Sequence, residues 1–140
     1  MSTINSGYKV EECAYQLKDC NASVIIVHPQ LLKTVIESAA LANIHESKIF
    51  LLDDEEINGF QPFSTLISDK EIIPVEYTPE EAVSTTAYLC YSSGTTGKNK
   101  GVETTHTNMV SNVAQLDNFE KDFSSDYTFM GVLVRYNLYL

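Results

Sequence analysis

Positive charge is scarce in this chain: nine Lys and Arg stand against nineteen Asp and Glu over 140 residues, a formal net charge of −10. That balance argues against nucleic acid or an anionic membrane as the main partner, because both would repel it. It leaves a nucleotide open, since a small anion feels only the local field of its site. Cysteine is sparse and odd in number. Cys13, Cys20 and Cys90 have no C-x-x-C spacing, so they read as reduced thiols of an intracellular protein, Cys90 serving as a small hydrophobe in an apolar run. No apolar stretch is long enough for a transmembrane segment, and the N-terminus has no signal-peptide pattern. The closing Leu138-Tyr139-Leu140 is not a peroxisomal address. Asn21-Ala22-Ser23 matches a glycosylation sequon, which reads as chance without a secretory signal. Internal repeats and low-complexity linkers are absent. The expected location is cytoplasmic, with a peroxisomal one left to a longer form of the protein.

What is present suits one modest globular domain: 44% hydrophobic and 20% charged residues and a mean hydropathy of −0.10. Val10, Cys13, Ala14 and Leu17 recur at helical spacing, with Glu11 and Glu12 in the first turn and Asn21 as the stop. Residues 22–27 (ASVIIV) form a short β-branched run closed by His28-Pro29. A second helix is expected with Leu32, Val35, Ile36, Ala39 and Ala40 on one face, then a strand over residues 49–52, ended by the acidic run 53–56, a solvated loop. Helix, strand, helix, strand points to α/β architecture with a mainly parallel sheet and flanking helices. Residues 58–85 are less regular, punctuated by Pro62, Pro74 and Pro79, with residues 71–75 a candidate short strand.

The sharpest signal follows. Residues 87–91 (AYLCY) read as a buried-type strand running straight into Ser92-Ser93-Gly94-Thr95-Thr96-Gly97-Lys98-Asn99-Lys100-Gly101. Glycines let a backbone turn tightly and bring its N–H groups close to a ligand. The hydroxyls of Ser92, Ser93, Thr95 and Thr96 are short, rotatable donors for phosphate oxygens. Lys98 and Lys100 add positive charge at the far end. A generic Ser/Gly stretch would be an exposed turn; this order of residues, the strand before it and the lysines behind it favour a polyphosphate. A Walker A loop is excluded, because Ser92 stands where its first glycine belongs and Asn99 where its Mg²⁺-binding hydroxyl belongs. A self-contained P-loop-like module also lacks an obvious Mg²⁺-binding acid at motif spacing. After a short Val102-Glu103-Thr104 step, Thr105 should cap a helix carrying Met109, Val110, Val113 and Leu116 on one face. Residues 126–134 read as one more strand.

The stretch from Tyr88 through the loop to Val102, followed by Thr105-His106-Thr107-Asn108-Met109, resembles the signature of AMP-dependent synthetases and ligases, above all the coumarate–CoA ligase, luciferase and acyl-CoA ligase group. Upstream segments stand in the same order as in that family: Ser2 to Tyr8, the helix ending Tyr15-Gln16-Leu17-Lys18-Asp19, and Val24 to Pro29. The resemblance covers nearly the whole chain, to about Leu133, and makes it part of the large N-terminal domain of an adenylate-forming enzyme. It implies an ATP-dependent ligase in which a carboxylate attacks the α-phosphorus of ATP, pyrophosphate leaves, and coenzyme A captures the acyl-adenylate as a thioester. It assigns the ATP contacts to Ser92, Ser93, Gly94, Thr95, Thr96 and Lys100, and the phosphate loop to residues 92–101. Lys98 falls where the family varies and is left out. His106 is read as a structural residue near a helix start, and no catalytic residue is assigned. The implied cofactors are ATP, Mg²⁺ and coenzyme A, with the Mg²⁺ and coenzyme A sites expected outside this chain. The implied partners are ATP and a carboxylic acid, with the loop also serving adenylation domains that load carrier proteins.

Two departures from the pattern stand out. Asn99 replaces the family's usual proline, which removes rigidity but no donor. After Gly131-Val132-Leu133 the family runs into P-F-F-H-x-x-G, whereas this chain reads Val134-Arg135-Tyr136-Asn137-Leu138-Tyr139-Leu140. That break suggests a frameshift, a misread splice site or a partial gene. Residues 1–140 are therefore expected to be a partial AMP-binding domain lacking the family's C-terminal domain, marginally folded and inactive alone. The competing expectation is a truncated non-catalytic product or interaction fragment.

Overall fold

In the computed structural model, residues 1–92 and 98–120 are described. The chain divides into two units, Ile4–Pro74 and a second made of Met1–Thr3 with the chain from Val75 onward.

The first unit opens with α1 (Val10–Asp19), whose start is held by Glu12: its carboxylate accepts from the Lys9 amide at 2.9 Å. β1 (Ile25–Val27) is followed by α2 (Leu32–Leu41) and β2 (Ile49–Leu51). Both helices end in the same way. Asn21 and Asn43 take φ of 50° and 57°, left-handed values that asparagine tolerates better than most residues. Behind each, the next amide reaches back over the last turn, Ala22 to the Leu17 carbonyl at 3.0 Å and Ile44 to Ala39 at 2.8 Å. Asn21 is thus the stop its sequence position implied. These returns turn Ala22 and Ile44 inward, where both pack on the core.

β1 and β2 pair in parallel, Ile25 opposite Ile49, Ile26 opposite Phe50 and Val27 opposite Leu51. Alternate residues bury on one face only: Ile25, Val27, Ile49 and Leu51 join Cys13, Leu17, Leu32, Val35 and Ala39 in the core. The α2 face differs slightly from the expected one. Ala40 is exposed, and Ser38 takes the interior position in its place. Its hydroxyl is satisfied there by the Thr34 carbonyl at 2.7 Å, with the Val10 carbonyl at 3.2 Å, which links the two helices. The acidic run 53–56 is exposed, as a solvated loop should be. Residues 71–75 are exposed and belong to no strand or bridge, so they do not form the strand their composition suggested; Pro74 removes one donor.

The second unit begins with a helix absent from the sequence reading, α3 (Pro79–Ser84). Thr78 caps it: the Glu81 amide donates to the Thr78 hydroxyl at 3.2 Å, and the Glu81 carboxylate accepts from the Thr78 amide at 2.9 Å. β3 (Thr86–Ser92) and β4 (Lys100–Thr105) pair antiparallel, with an irregularity between Thr86 and Tyr88. The step at Val102-Glu103-Thr104 is therefore a full strand. Its direction follows from chain length, since residues 93–99 are too few for a parallel crossover. α4 (His106–Glu120) starts where expected, with the Asn108 amide donating to the Thr105 hydroxyl at 3.2 Å. Its side chains Met109, Val110, Val113 and Leu116 are exposed rather than buried. The expected strand over residues 126–134, and the divergent tail beyond it, lie outside the described residues.

Candidate functional site

Six residues were expected to contact ATP. Ser92 closes β3, Lys100 opens β4, and they are register partners across the hairpin. Ser93, Gly94, Thr95 and Thr96 lie outside the described residues, in the connection between those two ends. Ser92 and Lys100 are both exposed. Because cross-strand partners share a face and alternate residues repeat it, Ser92, Cys90, Lys100 and Val102 lie on one side of the hairpin. Ser92 and Lys100 thus share a face at its mouth, and Lys98, two residues before Lys100, is exposed.

The opposite side carries one close approach. Tyr91 pairs with Gly101, and its ring lies over the glycine: a Cβ there would come within 3.1 Å of Tyr91 Cζ. Further down, the Thr86 hydroxyl donates to Glu103 at 3.2 Å. The charge distribution is equally local. In a chain with nineteen Asp and Glu, residues 82–102 contain none, and two of the nine cations fall within that stretch. The field at the hairpin's end is therefore set by lysines, although the chain as a whole is strongly anionic.

His106 follows β4 directly as the first residue of α4. Its amide donates to the Thr85 carbonyl at 3.2 Å, and its ring stands 4.6 Å from that of Tyr77. One participant had no local signal at all. Ser2 forms a parallel bridge with Leu89 on β3, and the Leu89 amide donates to the Met1 carbonyl at 2.8 Å. A pairing across 87 residues of chain carries no motif, so no sequence pattern could have located it.

Among the described residues no group of three or more His, Cys, Asp and Glu could hold a metal ion. Among those residues, too, no helix is long and apolar enough to cross a membrane.

Comparison with known proteins bears on family and fold. The chain is 35% identical to a 4-coumarate–CoA ligase of Pinus taeda over 99% of its own length and 25% of that protein. It is 34% identical to 4-coumarate–CoA ligase 3 of Arabidopsis thaliana over 99% of its length and 24% of the relative. It thus spans about a quarter of the length of these curated relatives. Among solved structures, the anthranilate CoA ligase AuaEII in complex with anthranoyl-AMP superposes with a TM-score of 0.66 at 29% identity, over 82% of this chain and 21% of that one. The mixed helices and sheets thus match the N-terminal part of an adenylate-forming enzyme. Residues 1–134 match the family described as AMP-binding enzyme, and it is to this family that the chain belongs.

Proposed function

We propose that this chain carries the ATP-phosphate grip of a carboxylate–CoA ligase, with residues 92–101 as the gripping segment. The observation that carries the reading is the pairing of Ser92 with Lys100 at the mouth of the hairpin, in a stretch, residues 82–102, without Asp or Glu. Ser92, Ser93, Thr95 and Thr96 supply hydroxyl donors, Gly94 permits close backbone approach, and Lys100 supplies positive charge. These groups hold the β- and γ-phosphates while a carboxylate oxygen attacks the α-phosphorus. The bond to the bridging oxygen breaks, and its electron pair leaves with pyrophosphate, where the lysine and the hydroxyls offset the growing charge. The acyl-adenylate then yields its acyl group to the thiol of coenzyme A, releasing AMP. Mg²⁺ and coenzyme A are held by parts of the enzyme beyond this chain. Several of the relatives are named as acid–CoA ligases, which favours coenzyme A over a carrier protein as acceptor.

The 140 residues alone bind ATP without completing the reaction. Saturating ATP raises the melting temperature of the parent chain by several degrees, as ligand binding to the folded state requires. Thr96→Ala and Lys100→Ala abolish most of that rise. ATP–pyrophosphate exchange stays at background in all three, and exchange above the variants' level would overturn the assignment of inactivity. A second reading, a non-catalytic chain that pairs with another protein, is favoured by one observation: Ile72, Ile73, Val75, Val110 and Val113 are largely exposed. A cooperative melt with no response to ATP would select it.

A further inference from the structure

We infer that Ser2 is a positioning residue for the phosphate-binding hairpin, holding β3 along the edge that β4 leaves free. Leu89 has Glu103 of β4 as its register partner on one side and Ser2 on the other. Three hydrogen bonds make the second tie: the Leu89 amide to the Met1 carbonyl at 2.8 Å, the Ser2 hydroxyl to the Leu89 carbonyl at 3.0 Å, and the Met1 nitrogen to the Ala87 carbonyl at 2.9 Å. The middle of β3 therefore has its backbone engaged on both edges.

This matters because no residue of β3 or β4 is fully buried. The hairpin's site face carries Ser92, Cys90, Lys100 and Val102, all exposed, and among the described residues the buried apolar core lies entirely within the other unit. A two-stranded ribbon is marginal in water, whereas a third strand brings it toward independent stability. The irregularity between Thr86 and Tyr88 loosens the pairing with β4 at the start of β3. The tie to Met1 and Ser2 falls between that irregularity and Ser92. A slip of one residue along β3 would turn Ser92 to the opposite face, away from Lys100. The Ser2 hydroxyl opposes such a slip because it recognises one particular carbonyl.

The consequence for ligand binding rests on the phosphate-grip reading, and two independent readouts separate the two claims. Amide hydrogen exchange on the full chain is compared for the parent, Ser2→Ala and Ser2→Thr, alongside ATP titration of each. Loss of one such hydrogen bond should speed exchange at Leu89 and along β3 and β4 about fivefold, leaving the β1 amides unchanged. Ser2→Thr retains the hydroxyl and should restore parental exchange. ATP affinity should fall by a similar factor in Ser2→Ala and recover in Ser2→Thr. Unchanged exchange in Ser2→Ala, or a threonine variant that behaves like alanine, would overturn the inference. Faster exchange with unaltered ATP affinity would also overturn it, reducing the contact to scaffolding. If no form binds ATP but exchange behaves as expected, the hold on the hairpin stands and the phosphate reading fails.

Discussion

Cys13 shows how one buried side chain couples stability to pH. It is 3% exposed among Leu17, Val35 and their neighbours. Burial pushes its thiol up, the Ser38 hydroxyl opposes the shift, and the charge on Cys20 adds to it. Cys20 is raised as well, chiefly by burial. A raised value means the folded chain keeps its proton where the unfolded chain has lost it. The associated stability is then complete below the ordinary thiol value of 9.0 and declines as pH rises through the native value. Stability in chemical denaturation should therefore fall as pH rises above about 9, by up to about 1.4 kcal/mol per pH unit for each shifted thiol. Cys13→Ala should flatten that decline, and a slope unchanged by the substitution would place its origin elsewhere. At the candidate phosphate grip, residue types could be singled out from sequence because Ser, Thr, Gly and Lys in that order carry chemistry in themselves. The closeness of Tyr91 to Gly101 was not, because it depends on register.

Secondary elements were read well where local chemistry dictates them and poorly where a neighbour does. α1 and α2 combine helical apolar spacing with Asn residues at their ends, and α4 has Thr105 at its start, so each could be placed from sequence. α3 has a local signal of its own: Thr78-Pro79-Glu80-Glu81 is a cap, a proline at the first helical position and a carboxylate that returns to the cap. Residues 71–75 and β4 are the opposite case. The first is apolar but belongs to no strand or bridge, whereas the second has a polar sequence and becomes a strand because β3 lies beside it. β2 offers a direct test of single-face burial. Leu51 is fully buried and Leu52, one residue on, is 47% exposed. Leu51→Ala should cost about 2–5 kcal/mol in urea unfolding, and Leu52→Ala under about 0.5 kcal/mol. Comparable losses at both positions would mean that the outer face of β1 and β2 is also covered.

For the molecule as a whole, exposed apolar surface competes with net charge. Ile73 is 88% exposed and Val110 69%, while the chain carries −10. At low ionic strength, like charge keeps copies apart. Screening shortens its reach to about 10 Å at 0.1 M salt and about 3 Å at 1 M, leaving the apolar patches to act. Light scattering should thus show a monomer at low salt and self-association as salt rises, and Ile73→Lys with Val110→Glu should suppress it. A mass independent of salt in the parent chain would show these side chains to be too scattered to act together.

Sequence alone determined the family resemblance, the α/β class, the helix boundaries at Asn21 and Thr105, and the residue types at the candidate phosphate grip. All of these follow from neighbours along the chain, where spacing and side-chain chemistry act within a few residues. Tertiary structure decided the rest: the antiparallel partner for β3, the pairing of Ser92 with Lys100, the burial of Ser38 in place of Ala40, and the hold of Ser2 on Leu89. Each of those depends on which backbone edge or helix face lies alongside, and contacts between residues far apart in the chain leave no period or motif in the sequence.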